Sequence, residues 1–185
     1  MKEKVPFSTD KHSWNPSPLL GQIFLVTTIN EDGITNIAPK SWISMMAFNP
    51  PLVVLGCNHE HQTAQNIIRS REFVVNVPGD DLAATAWECA DLPHPRPVEA
   101  AGLTPLPATR VAPPLIEECR VHLECTLYKR LSFGLEVVIF GEILAGVIDQ
   151  AALDAEDPYA YLRLFTYLEG RQYGVIERAE KLADN

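Results

Sequence analysis

The chain has 185 residues, 46% apolar and 21% charged, with a formal net charge of -9 and a pI near 5.0. That length suits one domain with a substantial core, and the acidity argues against nucleic acid as the main partner while leaving room for a local basic pocket. No run approaches the ~20 apolar residues of a membrane span. Met1 to Trp14 holds no apolar leader core, so a cytoplasmic location without a membrane partner is expected.

In chain order, residues 1–17 read as a polar extension, 18–176 as the folded domain and 177–185 as a charged tail, helical or frayed. Gln22 to Ile29 is β-branched and aromatic, which predicts a strand. Asn30-Glu31-Asp32-Gly33 predicts a hairpin turn into a return strand, Ile34 to Ala38. Ser41 to Phe48 continues extended until Asn49-Pro50-Pro51 breaks it. Leu52 to Cys57 is nearly all apolar and predicts a strand covered on both faces. Thr63 is placed to cap a helix from Ala64 to Arg69, with Ile67 and Ile68 on its buried side. Glu72 to Val77 predicts a strand and Leu82 to Cys89 a helix with Trp87 in the core.

Residues 93–114 hold seven of the 15 prolines and read as irregular chain wrapped over the domain, anchored by Ala100, Leu103, Leu106 and Val111. Cys119 to Tyr128 alternates, with Cys119, Val121, Leu123, Cys125 and Leu127 facing in. Arg120, His122, Glu124, Thr126 and Tyr128 would face out. Leu131 to Gly134 should turn the chain into a strand from Leu135 to Ile148, bent at Gly141. Asp149 to Asp154 reads as a helical turn, and Arg163 to Tyr167 should pair with Gln172 to Ile176. Seven or eight strands with two or three short helices predict a mainly β chain folded as an antiparallel barrel.

Neither GxGxxG after a strand, nor GxxxxGK[ST], nor GxSxG occurs, which removes a dinucleotide-binding domain, a P-loop and a nucleophile elbow. The richest stretch runs from Asn36 to Val77. Its polar elbow, Gly56 to Thr63, leads into a helix start, where unpaired N–H groups and partial positive charge suit a phosphate. Cys57, His59 and His61 are also zinc-ligand types, but crowded into five residues without a distant partner they argue for no metal. The four cysteines, Cys57, Cys89, Cys119 and Cys125, lack a CxxC pair and read as buried free thiols. His122 reads as a solvated or interface residue, and His12 and His94 as chemically idle.

These pieces resemble the flavin reductase-like family of FMN-binding split barrels that includes flavoredoxin. The resemblance rests on NIAPKSW from Asn36, NPPLVVLG from Asn49, Thr63 to Ile67, and REFVVNVP from Arg71. Later matches run from Glu99-Ala100-Ala101-Gly102-Leu103 through Gly141-Glu142-Ile143 to Gly170 and Tyr173. It implies a Greek-key split β-barrel, a homodimer, and one flavin per subunit, FMN with FAD as the alternative. Asn36, Ala38, Ser41, Trp42 and Ile43 would lie beside the ring or ribityl chain, and Cys57, Asn58, His61 and Thr63 near the phosphate. His61-Gln62 replaces the family's basic residue and Asp, so a protonated His61 would serve as the cation. Tyr167-Leu168-Glu169-Gly170 departs from the family's Arg-Leu-Gly-Gly.

The implied activity is hydride transfer from NAD(P)H to bound flavin and electron passage to a small-molecule or protein acceptor. The alternatives are a flavoredoxin-like carrier without rapid NAD(P)H oxidation, or a non-enzymatic barrel. No catalytic side chain is required, because the cofactor carries the chemistry.

Overall fold

The computed structural model describes residues 2–10 and 16–182; the expectation for His12 lies outside them. Strands β1 (Phe24–Ile29), β2 (Thr35–Lys40), β3 (Ile43–Phe48) and β4 (Pro51–Asn58) lead into helix α1 (Gln62–Ser70) and strand β5 (Glu72–Val77). Helix α2 (Ala83–Glu88) follows a 3-10 turn, Asp80–Leu82. Short strands β6 (Pro105–Leu106) and β7 (Leu115–Ile116) precede the long pair β8 (Val121–Phe133) and β9 (Glu136–Ile148). Helices α3 (Gln150–Asp154) and α4 (Pro158–Leu162) and strands β10 (Phe165–Leu168) and β11 (Gln172–Val175) complete the order.

Seven strands form one antiparallel sheet in the order β2-β1-β5-β8-β9-β4-β3. Its two edge strands, β2 and β3, are consecutive in the chain. Only Ser41 and Trp42 join them, which limits Lys40 and Ile43 to about 11 Å apart. The sheet must therefore curl until its edges meet, and the ladder stays split between β2 and β3. Inside, Val26, Leu55, Phe73, Val75, Cys125 and Ile139 from five strands share one buried cluster with Ala64 and Ile67 of α1. At Gly141 a Cβ would sit 2.3 Å from the Cζ of fully buried Phe73, so the curl there depends on the absence of a side chain.

Most expected elements are present: the β1–β2 hairpin, β5 at its expected bounds, and the β10–β11 pair. In the first turn Asn30 supplies the order: its Oδ1 accepts from the N–H groups of Asp32 (3.0 Å) and Ile34 (2.8 Å). All four cysteines are free and buried. Of β4, the inward Val53, Leu55 and Cys57 are buried, whereas Val54, Gly56 and Asn58 on the other face are only half-buried. The tail from Glu177 through Leu182 has no regular structure.

Three expectations need correction. Thr63 does not cap α1: the helix begins at Gln62, His61 occupies the cap position without a side-chain bond, and Thr63 is buried in the first turn. The turn expected at Leu131 to Gly134 falls later, because β8 runs to Phe133 and pairs with β9 up to Phe133–Glu136. The outward face of β8 is solvated only in part: Tyr128 is exposed, whereas His122 and Glu124 are buried. A β-bulge between Glu124 and Cys125 breaks the alternation, the proline-rich segment covers Glu124, and His122 turns to Asn76 of β5.

That cover is held by polar contacts. Glu124, fully buried, accepts from the N–H groups of Thr109 and Arg110 and from the Thr109 hydroxyl at 2.5–3.1 Å. His122 Nδ1 lies 2.9 Å from Asn76 Oδ1, which also accepts from Ile116 N–H at 3.1 Å. Asn76 Nδ2 donates to Leu25 O at 3.0 Å, and the Thr27 hydroxyl donates to Pro114 O. These bonds satisfy groups that would otherwise be costly to bury. Burial pushes the His122 imidazole below its ordinary range, so it stays neutral.

Candidate functional site

The link between β2 and β3 is where cavities gather. The alternation of β2 puts Asn36, Ala38 and Lys40 on the face toward α1, and Thr35, Ile37 and Pro39 on the other. One compartment of about 300 Å³ is bounded by Pro39 to Trp42, Gly56 to Asn58, His61 and Glu136. A second, of about 230 Å³, is bounded by Ala38 to Lys40, His61 to Thr63, Ala90, His94 and Arg96. They share Pro39, Lys40 and His61, so they are two halves of one cleft over the β2–β3 link.

The charges in this cleft are ordered. Lys40 Nζ is 3.3 Å from His61 Nδ1, and Cys57 Sγ is 3.6 Å from the same nitrogen. An ammonium only donates, so Nδ1 accepts and the His61 proton belongs on Nε2. Burial first, and then Lys40, hold His61 below the usual imidazole range. That disfavours the protonated His61 that the resemblance implies and leaves Lys40 as the formal positive charge beside it.

Arg96 is the second cation. Its guanidinium donates to Leu92 O (2.6 Å) and Ala90 O (2.7 Å), and its carbonyl accepts from Ile37 N–H at 2.9 Å, tying the proline-rich loop to β2. His94 borders the same compartment, and burial and Arg96 hold its pKa low. The first turn of α1 adds the N–H groups of Gln62 and Thr63, which have no intrahelical acceptor. Burial pushes the Cys57 thiol up, partly opposed by Lys40, so it remains a thiol. Glu136 borders the first compartment and opposes Lys40 at Cys57 and His61.

Of the nine expected site residues, the cleft brings together seven: Ala38, Ser41, Trp42, Cys57, Asn58, His61 and Thr63. Asn58 is engaged in the elbow itself, its Oδ1 accepting from Glu60 N–H at 2.8 Å and its Nδ2 3.5 Å from Glu136. Ile43 and Asn36 stand off the linings of both compartments. Ile43 packs against the barrel interior, and Asn36 is fully buried with both side-chain polar atoms unpartnered. His59 turns away from Cys57 and His61 to Ser132 Oγ at 3.1 Å, and among the described residues no cluster of three ligand-type side chains surrounds a metal position.

Four ionisable bordering residues were not among the expected site residues: Lys40, His94, Arg96 and Glu136. Lys40 was readable, because it follows Asn36 and Ala38 on the same period-2 face. The other three reach the cleft through long-range folding that no local pattern signals. Trp87, expected in the core, is half-buried and borders a neighbouring cavity with Tyr167.

Comparison with known proteins agrees with this architecture. A flavin reductase like domain matches residues 19–169. An uncharacterized protein of Aquifex aeolicus is 34% identical over 138 residues, covering 70% of this chain and 69% of its own. Among solved structures, the 2-nitrobenzoate 2-nitroreductase NbaA of Pseudomonas fluorescens superposes with a TM-score of 0.79 at 28% identity, over 89% of this chain and 85% of that one. Flavoredoxin of Desulfovibrio vulgaris (Miyazaki F) superposes with a TM-score of 0.81 at 20% identity, over 100% of this chain and 97% of that one, a likeness of fold. Among the described residues, no helix is long and apolar enough to cross a membrane. The split barrel and the match over most of its length place this chain in the flavin reductase like family.

Proposed function

We propose that the chain is an FMN-dependent oxidoreductase whose flavin occupies the cleft over the β2–β3 link, with FAD as the alternative form. One observation carries the reading: a single cleft has Lys40, Arg96 and the open start of α1 at one end, and Ser41, Trp42 and Gly56 at the other. The first end suits a phosphate, as charged donors and helix N–H groups do in general. At the second, the Trp42 indole packs on Gly56, where a Cβ would come within 3.0 Å of it, and the half-exposed indole would meet a flat ring.

The donor set fits a phosphorylated ligand: Lys40 and Arg96 border the cleft, and the N–H groups of Gln62 and Thr63 have no helical acceptor. Asn36, fully buried and off both linings, is assigned no contact to the flavin. FMN bound there would supply the chemistry, accepting a hydride from NADH or NADPH and passing electrons to a small-molecule or protein acceptor. Lys40 and Arg96 would neutralise the phosphate. Gln62 and Thr63 would donate backbone N–H groups to it. Ser41, shared with the neighbouring cavity, would hold the ring edge, and no side chain is assigned as general acid or base.

The partner in this reading is a second copy of the chain. Met45, Met46 and Phe48 on edge strand β3 are 50–90% exposed, as are Phe133 and Leu135 at 62% and 68%. Apolar side chains of this size, gathered on an edge strand and on a hairpin tip, suit a self-complementary interface.

Stopped-flow mixing of the FMN-loaded protein with NADH or NADPH tests the activity. Bleaching of the flavin band within seconds is expected with at least one of the two. Binding of FMN without bleaching by either would leave an electron carrier in place of a reductase.

A further inference from the structure

A third cavity adjoins the cleft and differs from it in chemistry. It measures about 310 Å³, near the lower end of ligand pockets, about 300–1,000 Å³. Ile23, Trp87, Asp91 and Tyr167 are its own walls, and it shares Pro39, Lys40, Ser41 and Ala90 with the cleft. The Trp87 and Tyr167 rings stand edge to face, with centroids 4.9 Å apart, and Phe165 backs Tyr167 at 5.7 Å. Tyr167 donates its hydroxyl to Ala83 O at 2.8 Å, so its polar end is satisfied and its ring is left as wall.

The charges around this cavity favour an uncharged guest. Lys40 borders it, but its ammonium is held against His61 on the cleft side. Arg171 lies over the Trp87 ring at 5.6 Å and is not part of the lining. The carboxylate of Asp91, exposed at the rim, is the charge a guest would meet. Two ion pairs fix the wall. Arg163 holds Asp80 at 2.7 Å, and Arg120 holds Asp81 at 2.9 Å together with the carbonyls of Tyr161 and Leu162. They tie the turn before α2, which carries Trp87, to the arm that leads into β10 and Tyr167.

We propose that this cavity binds an uncharged, planar, single-ring aromatic compound, packed against Trp87 and Tyr167 and adjoining Ser41 at the flavin cleft. Aromatic walls favour a flat ring through offset and edge contacts, and a carboxylate at the mouth repels an anion of the same shape. The site as an acceptor pocket rests on the flavin reading above; its occupancy by an aromatic ring does not.

Calorimetric titration of the flavin-free protein with nitrobenzene and with 2-nitrobenzoate tests it, since the two differ mainly by one charge. Nitrobenzene is expected to bind at least tenfold more tightly than 2-nitrobenzoate. Trp87→Leu should weaken nitrobenzene at least fivefold. Asp91→Asn, an exposed substitution that leaves the core untouched, should strengthen 2-nitrobenzoate at least threefold and leave nitrobenzene unchanged. Equal affinities for the two compounds in the wild type, no binding of either, or no response to Asp91→Asn would overturn the proposal. A parallel FMN titration keeps the two readings apart: loss of FMN binding alone would sink the flavin assignment and leave the aromatic site standing.

Discussion

Lys40→Met is expected to weaken FMN binding about 10- to 100-fold while leaving riboflavin binding within about twofold. Hydrogen bonds to a charged group contribute about 1.5–3 kcal/mol, and about 1.4 kcal/mol is a factor of ten in affinity. Lys40 borders both halves of the cleft, and its contact with His61 keeps its ammonium on the cleft side, where a phosphate would meet it. Methionine keeps most of the apolar stem, so the packing of β2 should survive. Removing Lys40 also removes one of the causes that depress His61, so the imidazole should titrate at higher pH in the variant. Equal FMN affinity in Lys40→Met and the wild type would remove the phosphate from this end of the cleft.

The second large effect concerns the clamp on the proline-rich segment. Glu124→Ala is expected to cost about 3 kcal/mol, because it deletes a fully buried carboxylate and strands the N–H groups of Thr109 and Arg110. For a chain of this size that lowers the melting temperature by about 6–12 °C. Glu124→Gln, which keeps one acceptor oxygen, should cost less. Burial pushes the Glu124 pKa up, but the amides and hydroxyl of the 109–110 segment outweigh it, and the net value lies below the ordinary 4.5. A depressed folded-state pKa gives stability that is complete above the unfolded value and is lost as pH falls through the folded one. The gap between wild type and Glu124→Ala should therefore be constant above about pH 5 and narrow below about pH 4.5. Thermal melts from pH 3 to 8 measure it, and a gap that ignores pH would show that the carboxylate is not the clamp.

The reach of local pattern explains what was readable in the sequence. Glu72 to Val77 was legible to the residue, since a run of β-branched and aromatic residues between turn signals has few other uses. The β1–β2 hairpin was legible for the same reason. The face of β8 was misjudged because period-2 alternation reports only side-chain direction, and what lies over each face is decided by distant chain. Here that chain is the 93–114 segment. The same fold-back brings Arg96 and His94 to the cleft. Thr63 was misplaced by two residues: Ser and Thr suit a cap, but here the carbonyl of His61 takes the first helical bond, from Gln65 N–H. Lys40 was the site residue that alternation did offer.

The most direct test of the cleft is the difference between FMN and riboflavin, which share a ring and differ by the phosphate. Apoprotein titrated into each, followed by quenching of flavin fluorescence, should show one FMN per chain bound at least tenfold more tightly than riboflavin. Equal affinity for the two, or binding of neither, would contradict the assignment of Lys40, Arg96 and the start of α1 as the phosphate end of a flavin site.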